Sequence, residues 1–278
     1  MTEVHAACVA GDPARPNEDS FVALPGLLAV LDGVSTPEGL DTGCRHGAAW
    51  YVARLAANVA AFRDLELSDL LARAIESTRD DHGGTCDLDH PGTPQAAVAM
   101  LRVGSERCDY LVLGDCTIVL DRVGTVDAVT DRRMLDTARA QRRLAFVGPM
   151  GSAEQSERIR ALTLAKRAHV NRAGGYWIAS TDPAAARHAV RGSVARTGPG
   201  RLSRAALMTD GVSCLVDTYR LTEWKGLLDL AEARGPDHVV ALARSAEGAD
   251  PQGCQRPRLK PHDDATIVYR TLPPERDL

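Results

Sequence analysis

Phe21-Val22-Ala23-Leu24-Pro25-Gly26-Leu27-Leu28-Ala29-Val30-Leu31-Asp32-Gly33 reads as two apolar runs broken by Pro25-Gly26. Apolar runs of this length turned on Pro-Gly predict a hairpin, with the second strand ending at Asp32. Working back, residues 4–9 read as another short strand, followed by a Gly-, Pro- and Asp-rich loop over 11–17. Working forward, Ala48, Val52, Leu55 and Val59 recur at helical spacing, which predicts a helix over 39–62. A second helix is expected over 68–79 with Ser68 as its N-cap. A Gly- and Asp-rich loop over 82–92 leads to a meander of short strands at 96–103, 110–113, 118–120 and 126–129.

The second half is more helical. Residues 131–146 and 153–170 read as helices separated by Gly148-Pro149-Met150-Gly151. Strands are expected at 176–179, 205–208 and 265–269, helices at 221–233 and 237–246, and a loop over 248–261. Strands and helices come in blocks and do not alternate, which predicts layered α+β architecture over a doubly wound parallel sheet. No linker or repeat divides the 278 residues, so a single domain over 1–278 is expected, with 271–278 as a tail.

Composition narrows the function classes. Hydrophobic residues make up 44% and charged residues 25%, ordinary for a globular protein, and the net charge of −4 argues against a nucleic-acid partner. No apolar run is long enough to span a membrane, and the first ten residues lack a basic segment followed by an apolar stretch. A cytoplasmic monomer is the expectation. The seven cysteines are widely spaced and form no C-x-x-C pair, so neither a zinc knuckle nor a disulfide framework is expected, only reduced thiols.

Acidic residues recur in one local context, at the edge of an apolar strand and usually beside glycine. Asp19 precedes a strand; Asp32, Asp115 and Asp210 follow strands; Asp263 and Asp264 open the last one. Any one of these taken alone is an ordinary turn former. Together, they offer the oxygen ligands that hard divalent cations prefer, provided the strand ends converge. A pair of such ions can activate water and clamp a phosphoryl group.

These residues resemble, in order and over nearly the whole chain, the metal-dependent protein phosphatases of the protein phosphatase 2C-like (PPM) family. Asn17-Glu18-Asp19-Ser20 resembles the first acidic motif, Ala29-Val30-Leu31-Asp32-Gly33 the central Asp-Gly motif and Gly92-Thr93 the Gly-Thr motif. Leu113-Gly114-Asp115 resembles Gly-Asp-Ser, and Val129-Thr130-Asp131 the Thr-x-Asp element after it. Met208-Thr209-Asp210-Gly211 resembles Ser-Asp-Gly, and Asp263-Asp264-Ala265-Thr266 the closing Asp-Asn-x-Thr. The resemblance implies a four-layer αββα sandwich of two antiparallel sheets. It implies two Mg²⁺ or Mn²⁺ ions, with Asp32 bridging them and the Gly33 carbonyl as a ligand. Asp210 and Asp263 would hold one ion and Glu18 the other, partly through water. Asp19 would be a ligand or a support behind the ligands, and Asp115 would serve a third, weaker site. Arg15 would hold the substrate phosphate, and a metal-bridging hydroxide would attack phosphorus directly.

The sequence departs from the pattern at several points. Val34-Ser35-Thr36-Pro37 replaces the Gly-rich continuation, Cys116 a serine and Asp264 an asparagine; Arg15 stands one residue closer to the acidic pair. Residues 132–175, where the family carries a flap, are Arg-rich. His46 is a candidate proton donor, His82 a second, and the alternative for both is a surface or packing histidine. Cys116 reads as a reactive thiol or a small packed residue, and His262 as a tuner of the site or a loop histidine. Arg132-Arg133 and 139–143 read as an anion-binding or a solvated helix face. The expected function is a serine/threonine phosphoprotein phosphatase; a small-molecule phosphatase and a non-catalytic regulatory module are the alternatives.

Overall fold

The hairpin that opens the fold is built as expected. In the computed structural model, which describes residues 4–273, the chain runs β1 (Val4–Val9), β2 (Asp19–Leu24), β3 (Leu27–Gly33), α1 (Gly47–Ala61) and α2 (Leu67–Asp80). It continues through β4 (Ala96–Val103), β5 (Arg107–Leu113), β6 (Thr117–Arg122), β7 (Thr125–Thr130), α3 (Arg133–Asp136), α4 (Arg139–Ala145) and α5 (Ala153–Arg167). The last part holds β8 (Val190–Ala195), β9 (Leu202–Met208), α6 (Asp210–Asp217), α7 (Trp224–Arg234), α8 (Pro236–Ala249) and β10 (Ala265–Thr271).

The strands form two antiparallel five-stranded sheets, ordered β1-β10-β9-β6-β7 and β2-β3-β4-β5-β8. Successive side chains of a strand point to opposite faces, and both faces of the central strands are apolar. Leu28 and Val30 of β3 pack with Ile118, Leu207 and Val268 between the sheets. Leu27, Ala29 and Leu31 of the same strand pack outward against Leu55 of α1 and Leu71 of α2. On the far side, Val119, Ala206 and Ile267 meet Val212, Leu228 and Val240 of α6, α7 and α8. Helix, sheet, sheet and helix therefore lie in four layers, the α+β sandwich expected. One buried charge interrupts the outer packing: Arg204 of β9 is held by Asp121, Asp229 and Glu232, enough carboxylate to offset its desolvation.

Several expectations need correction. The first helix starts at Gly47 and not at 39, because Gly39, Gly43 and Gly47 all take positive φ and keep that stretch a loop. α2 is capped by Glu66, whose carboxylate accepts from the Ser68 N–H at 3.0 Å, so Ser68 lies inside the helix. The helix expected over 131–146 splits at Ala138, which has φ 54°. Residues 176–179 make only isolated bridges, Val170 with Tyr176 and Ala96 with Ala179. β8 and α6 were not foreseen. Thr271 belongs to β10 and Leu272 is buried, so the expected tail begins later; 274–278 lie outside the described residues.

Candidate active site

The acidic residues come from both sheets and gather at one end of the sandwich. Asp19 and Asp32 are cross-strand partners in the β2–β3 ladder. The Gly33 N–H donates to the Glu18 carbonyl at 2.8 Å, and a side chain at Gly33 would put its Cβ 2.6 Å from that oxygen. Only glycine lets these two backbones approach so closely. Asp115 sits in the β5–β6 turn, after Gly114 at φ 84°. Asp210 is the first residue of α6, directly after β9, so the opening of that helix aims it into the crevice. Asp263 arrives on the loop before β10.

Their mutual influence shows how close they lie. Burial, then the charges of Asp210, Asp19, Asp115 and Asp263, push the Asp32 carboxyl well above its ordinary range. Burial, then Asp263 and Asp115, push Asp210 up as well, although Lys260 opposes the shift. Asp210 is itself exposed to solvent, so the packed walls of the crevice desolvate a group that ligands can still reach. Burial raises Asp115 against the pull of Lys166 and Arg142. Burial raises Asp19 to about 7; its Oδ2 accepts from Thr209 Oγ1 at 2.8 Å, and that oxygen accepts from the Thr266 N–H at 3.0 Å.

Two lysines enter this acidic crevice, and the sequence reading missed both. Lys260 Nζ donates to Asp263 Oδ1 at 2.7 Å and to Ser35 Oγ at 2.9 Å, and Ser35 donates to Glu18. Burial would lower its pKa, but Asp263, Asp210 and Asp32 outweigh that and raise it. Lys166 lies near Asp115 and Asp210, its pKa lowered by burial. With Arg167, Lys166 lines a cleft formed by Val34, Ser35, Thr36, Gly92, Thr93, Gln95, Thr163 and Tyr176. α5, in the expected flap segment, thus lies across the cleft, tied to the loop after β3 by Arg160 to the Glu38 carbonyl (2.5 Å) and Arg167 to the Asp41 carbonyl (2.8 Å).

Other expected residues lie elsewhere. Asp264 spends both carboxylate oxygens on main-chain N–H groups, Gly11 at 2.7 Å and Glu18 at 2.6 Å, so the extra carboxylate braces the β1–β2 loop. Arg15 is exposed on that same loop. Cys116 is fully buried and its thiol is pushed up by burial and by Asp32, which leaves it protonated and inert. His262 pairs with Glu247 at 2.7 Å. Arg133 is bound to Asp131 and Arg139 to Asp136, so part of the arginine-rich segment is internally neutralised. His46 stacks on Trp50 with ring centroids 4.1 Å apart and directs Nδ1 at Cys44 and Cys86.

The donor set fits hard divalent cations. It is all oxygen, it gathers more carboxylate charge than the two lysines balance, and its members raise one another's pKa values.

The architecture has close counterparts among solved structures. The serine/threonine phosphatase PstP/Ppp of Mycobacterium tuberculosis superposes with a TM-score of 0.60 at 16% identity, over 98% of each chain. A bacterial serine phosphatase gives 0.59 at 14% identity over the whole of both chains. Stp1 of Staphylococcus aureus gives 0.57 at 13% identity, over 98% of this chain and 96% of that one. This chain has the fold of these phosphatases. Protein-family models and curated proteins, compared by sequence, give no match. The fold is shared at 13–16% identity, and the acidic residues occupy strand ends of it. The catalytic domain of PstP has also been solved in complex with two manganese ions.

Proposed function

We propose that this chain is a phosphomonoester hydrolase dependent on two Mg²⁺ or Mn²⁺ ions, acting on phosphorylated serine or threonine in proteins. The observation that carries the reading is the convergence of Asp19, Asp32, Asp115, Asp210 and Asp263 on one solvent-reachable crevice in a phosphatase fold. Ions bound there would lower the pKa of a water and neutralise the phosphoryl oxygens. Asp32, Asp210 and Asp263 are the residues to hold them, with Glu18, the Gly33 carbonyl and Asp115 completing the set. Asp19 is fixed by Thr209 and supports the Asp32 strand end. Lys166 and Arg167 give the cleft positive charge for a phosphate, the role first expected of Arg15. The cleft is bounded by α5, so the arginine-rich segment selects the substrate.

One observation favours a second reading, a regulatory module that binds phosphoproteins without cleaving them. Lys260 already supplies a positive charge on Asp263. Hydrolysis of p-nitrophenyl phosphate in Mn²⁺, in Mg²⁺ and in chelator, by the wild type and by Asp32→Asn, separates the two. Metal-dependent turnover that disappears in Asp32→Asn supports the hydrolase. A folded wild type that binds Mn²⁺ by calorimetry and turns nothing over sinks it. Phosphopeptides run beside phosphorylated metabolites then decide the substrate class.

A further inference from the structure

Away from the aspartates, the sequence carries two short pairs of a different chemistry, Cys44-Arg45-His46 and His82-Gly83-Gly84-Thr85-Cys86. The first immediately precedes α1 and the second immediately follows α2. The antiparallel packing of these helices brings the pairs together, and the ligand atoms of all four residues lie within 4.8 Å of one another. Cys86 Sγ is 3.2 Å from Cys44 Sγ and 3.3 Å from His46 Nδ1, and Cys44 Sγ is 3.5 Å from His46 Nδ1. A tetrahedron of two sulfurs and two nitrogens about zinc has edges of about 3.3–3.8 Å, from Zn–S near 2.3 Å and Zn–N near 2.0 Å. The two S–N edges fit that size, the S–S edge is shorter by about half an ångström, and the edges to His82 lie within 4.8 Å.

His82 supplies an independent observation. The ring is 2% exposed. Nδ1 lies 2.9 Å from the Thr78 carbonyl and so must donate to it. That bond fixes the tautomer and leaves a lone pair on Nε2, which is buried and has no hydrogen-bond partner. A buried acceptor with nothing to accept costs about 1–3 kcal/mol. A carbonyl behind the far nitrogen is the arrangement that orients metal-bound histidines. Trp50 walls the cluster, stacked on His46 and edge-on to His82 at 4.7 Å. The ordinary alternative, two unrelated thiols beside two packing histidines, leaves the orphaned Nε2 and the fourfold convergence unexplained.

We propose that Cys44, His46, His82 and Cys86 form a structural zinc site that staples the loop after β3 to the loop before β4. Thiolate and imidazole donors select Zn²⁺ over the Mg²⁺ or Mn²⁺ that an all-oxygen site prefers. Four protein ligands close the tetrahedron, so the ion holds structure and leaves no position for substrate. Binding at neutral pH releases the two thiol protons to solvent, and nothing is oxidised. The loops it joins carry Ser35, Thr36, Gly92 and Thr93 into the cleft. A second tie, the Asp87 N–H to the Gly43 carbonyl at 2.8 Å, already runs beside it. On this assignment His46 is a zinc ligand and not a proton donor.

Reduced full-length protein, washed with a mild chelator, is measured by elemental analysis, and the zinc-free chain is titrated with Co²⁺. The expected result is about one zinc per chain, kept in Asp32→Asn and cut at least about tenfold in Cys86→Ser. Cobalt should give the thiolate charge-transfer band and the strong visible bands of a tetrahedral ion. If Cys86→Ser does not fold, the wild-type cobalt spectrum decides alone. A folded, reduced wild type with neither zinc nor those bands overturns the site. So does zinc that survives in Cys44→Ser/Cys86→Ser but leaves with Asp32→Asn, since the ion then belongs to the carboxylates. A non-reduced mass lower by two hydrogens, with a Cys44–Cys86 disulfide and no zinc uptake after reduction, overturns it as well. None of these readouts depends on phosphatase turnover.

Discussion

The loop between β3 and α1 has a different kind of cluster at each end. It starts at Asp32-Gly33, among carboxylates, and finishes at Cys44-Arg45-His46, among thiols and imidazoles. The carboxylates repel one another, sit partly open to solvent at Asp210 and leave room for exchangeable ligands. The thiol–imidazole group is small, half-buried and backed by a tryptophan. The contrast separates two uses of convergent polar residues. An incomplete shell of hard donors can do chemistry, because water and substrate must finish it. A complete shell of softer donors can only hold the chain together.

The largest expected effect tests this contrast directly. Asp32→Asn should lower metal-dependent turnover by about 10²- to 10³-fold, while its melting temperature in chelator rises because folding no longer has to bury and protonate a carboxylate. Cys44→Ser should do the reverse, with the melting temperature falling and turnover largely kept at temperatures where the variant is folded. If both variants lower turnover, or both lower the melting temperature, the two clusters are one functional unit and the comparison breaks.

The next effect is on pH dependence without metal. Asp19 rises from an ordinary 3.8 to about 7 in the fold. The folded state therefore holds this proton more tightly than the unfolded one. Its stabilising contribution is whole below about pH 4 and is lost as pH rises through about 7, a change on the order of a few kcal/mol. Melting curves in chelator should fall between those limits, and Asp19→Asn should flatten the fall. A slope unchanged in Asp19→Asn places the titration elsewhere in the crevice.

A smaller effect concerns Lys260. Its ammonium sits on Asp263, where it repels any incoming cation. Lys260→Met should tighten Mn²⁺ binding about tenfold by calorimetry, equivalent to about 1.4 kcal/mol. Weaker binding would instead make Lys260 an organiser of the carboxylates. The smallest effect is at Tyr51, whose hydroxyl donates to the buried Ser180 carbonyl at 2.7 Å. Tyr51→Phe should cost about 1 kcal/mol in denaturant titration and leave turnover and zinc content alone.

The fold and the carboxylate cluster were legible for the same reason. Strand ends punctuated by Asp-Gly carry their geometry locally, in alternating apolar runs and in glycines such as Gly33 and Gly114 that the close turns require. The helix that Asp210-Gly211 opens was not foreseen, because it takes its apolar face from packing on β9 and β10. Lys166 and Lys260 were invisible because a lysine on a polar helix or loop looks solvated until the fold turns it inward. The thiol–imidazole cluster was missed by asking for C-x-x-C. Its ligands come as one Cys and one His from each loop, and only the α1–α2 pairing brings the halves together.

The two arginines of α5 that cross the cleft have a consequence for how this molecule can drift in evolution. Arg160 and Arg167 bind the main-chain carbonyls of Glu38 and Asp41, not their side chains. A carbonyl is present whatever residue occupies the position. Mutations at 38 and 41 can therefore accumulate, and change what the rim offers to a visiting partner, without unhooking the helix that sets the width of the opening.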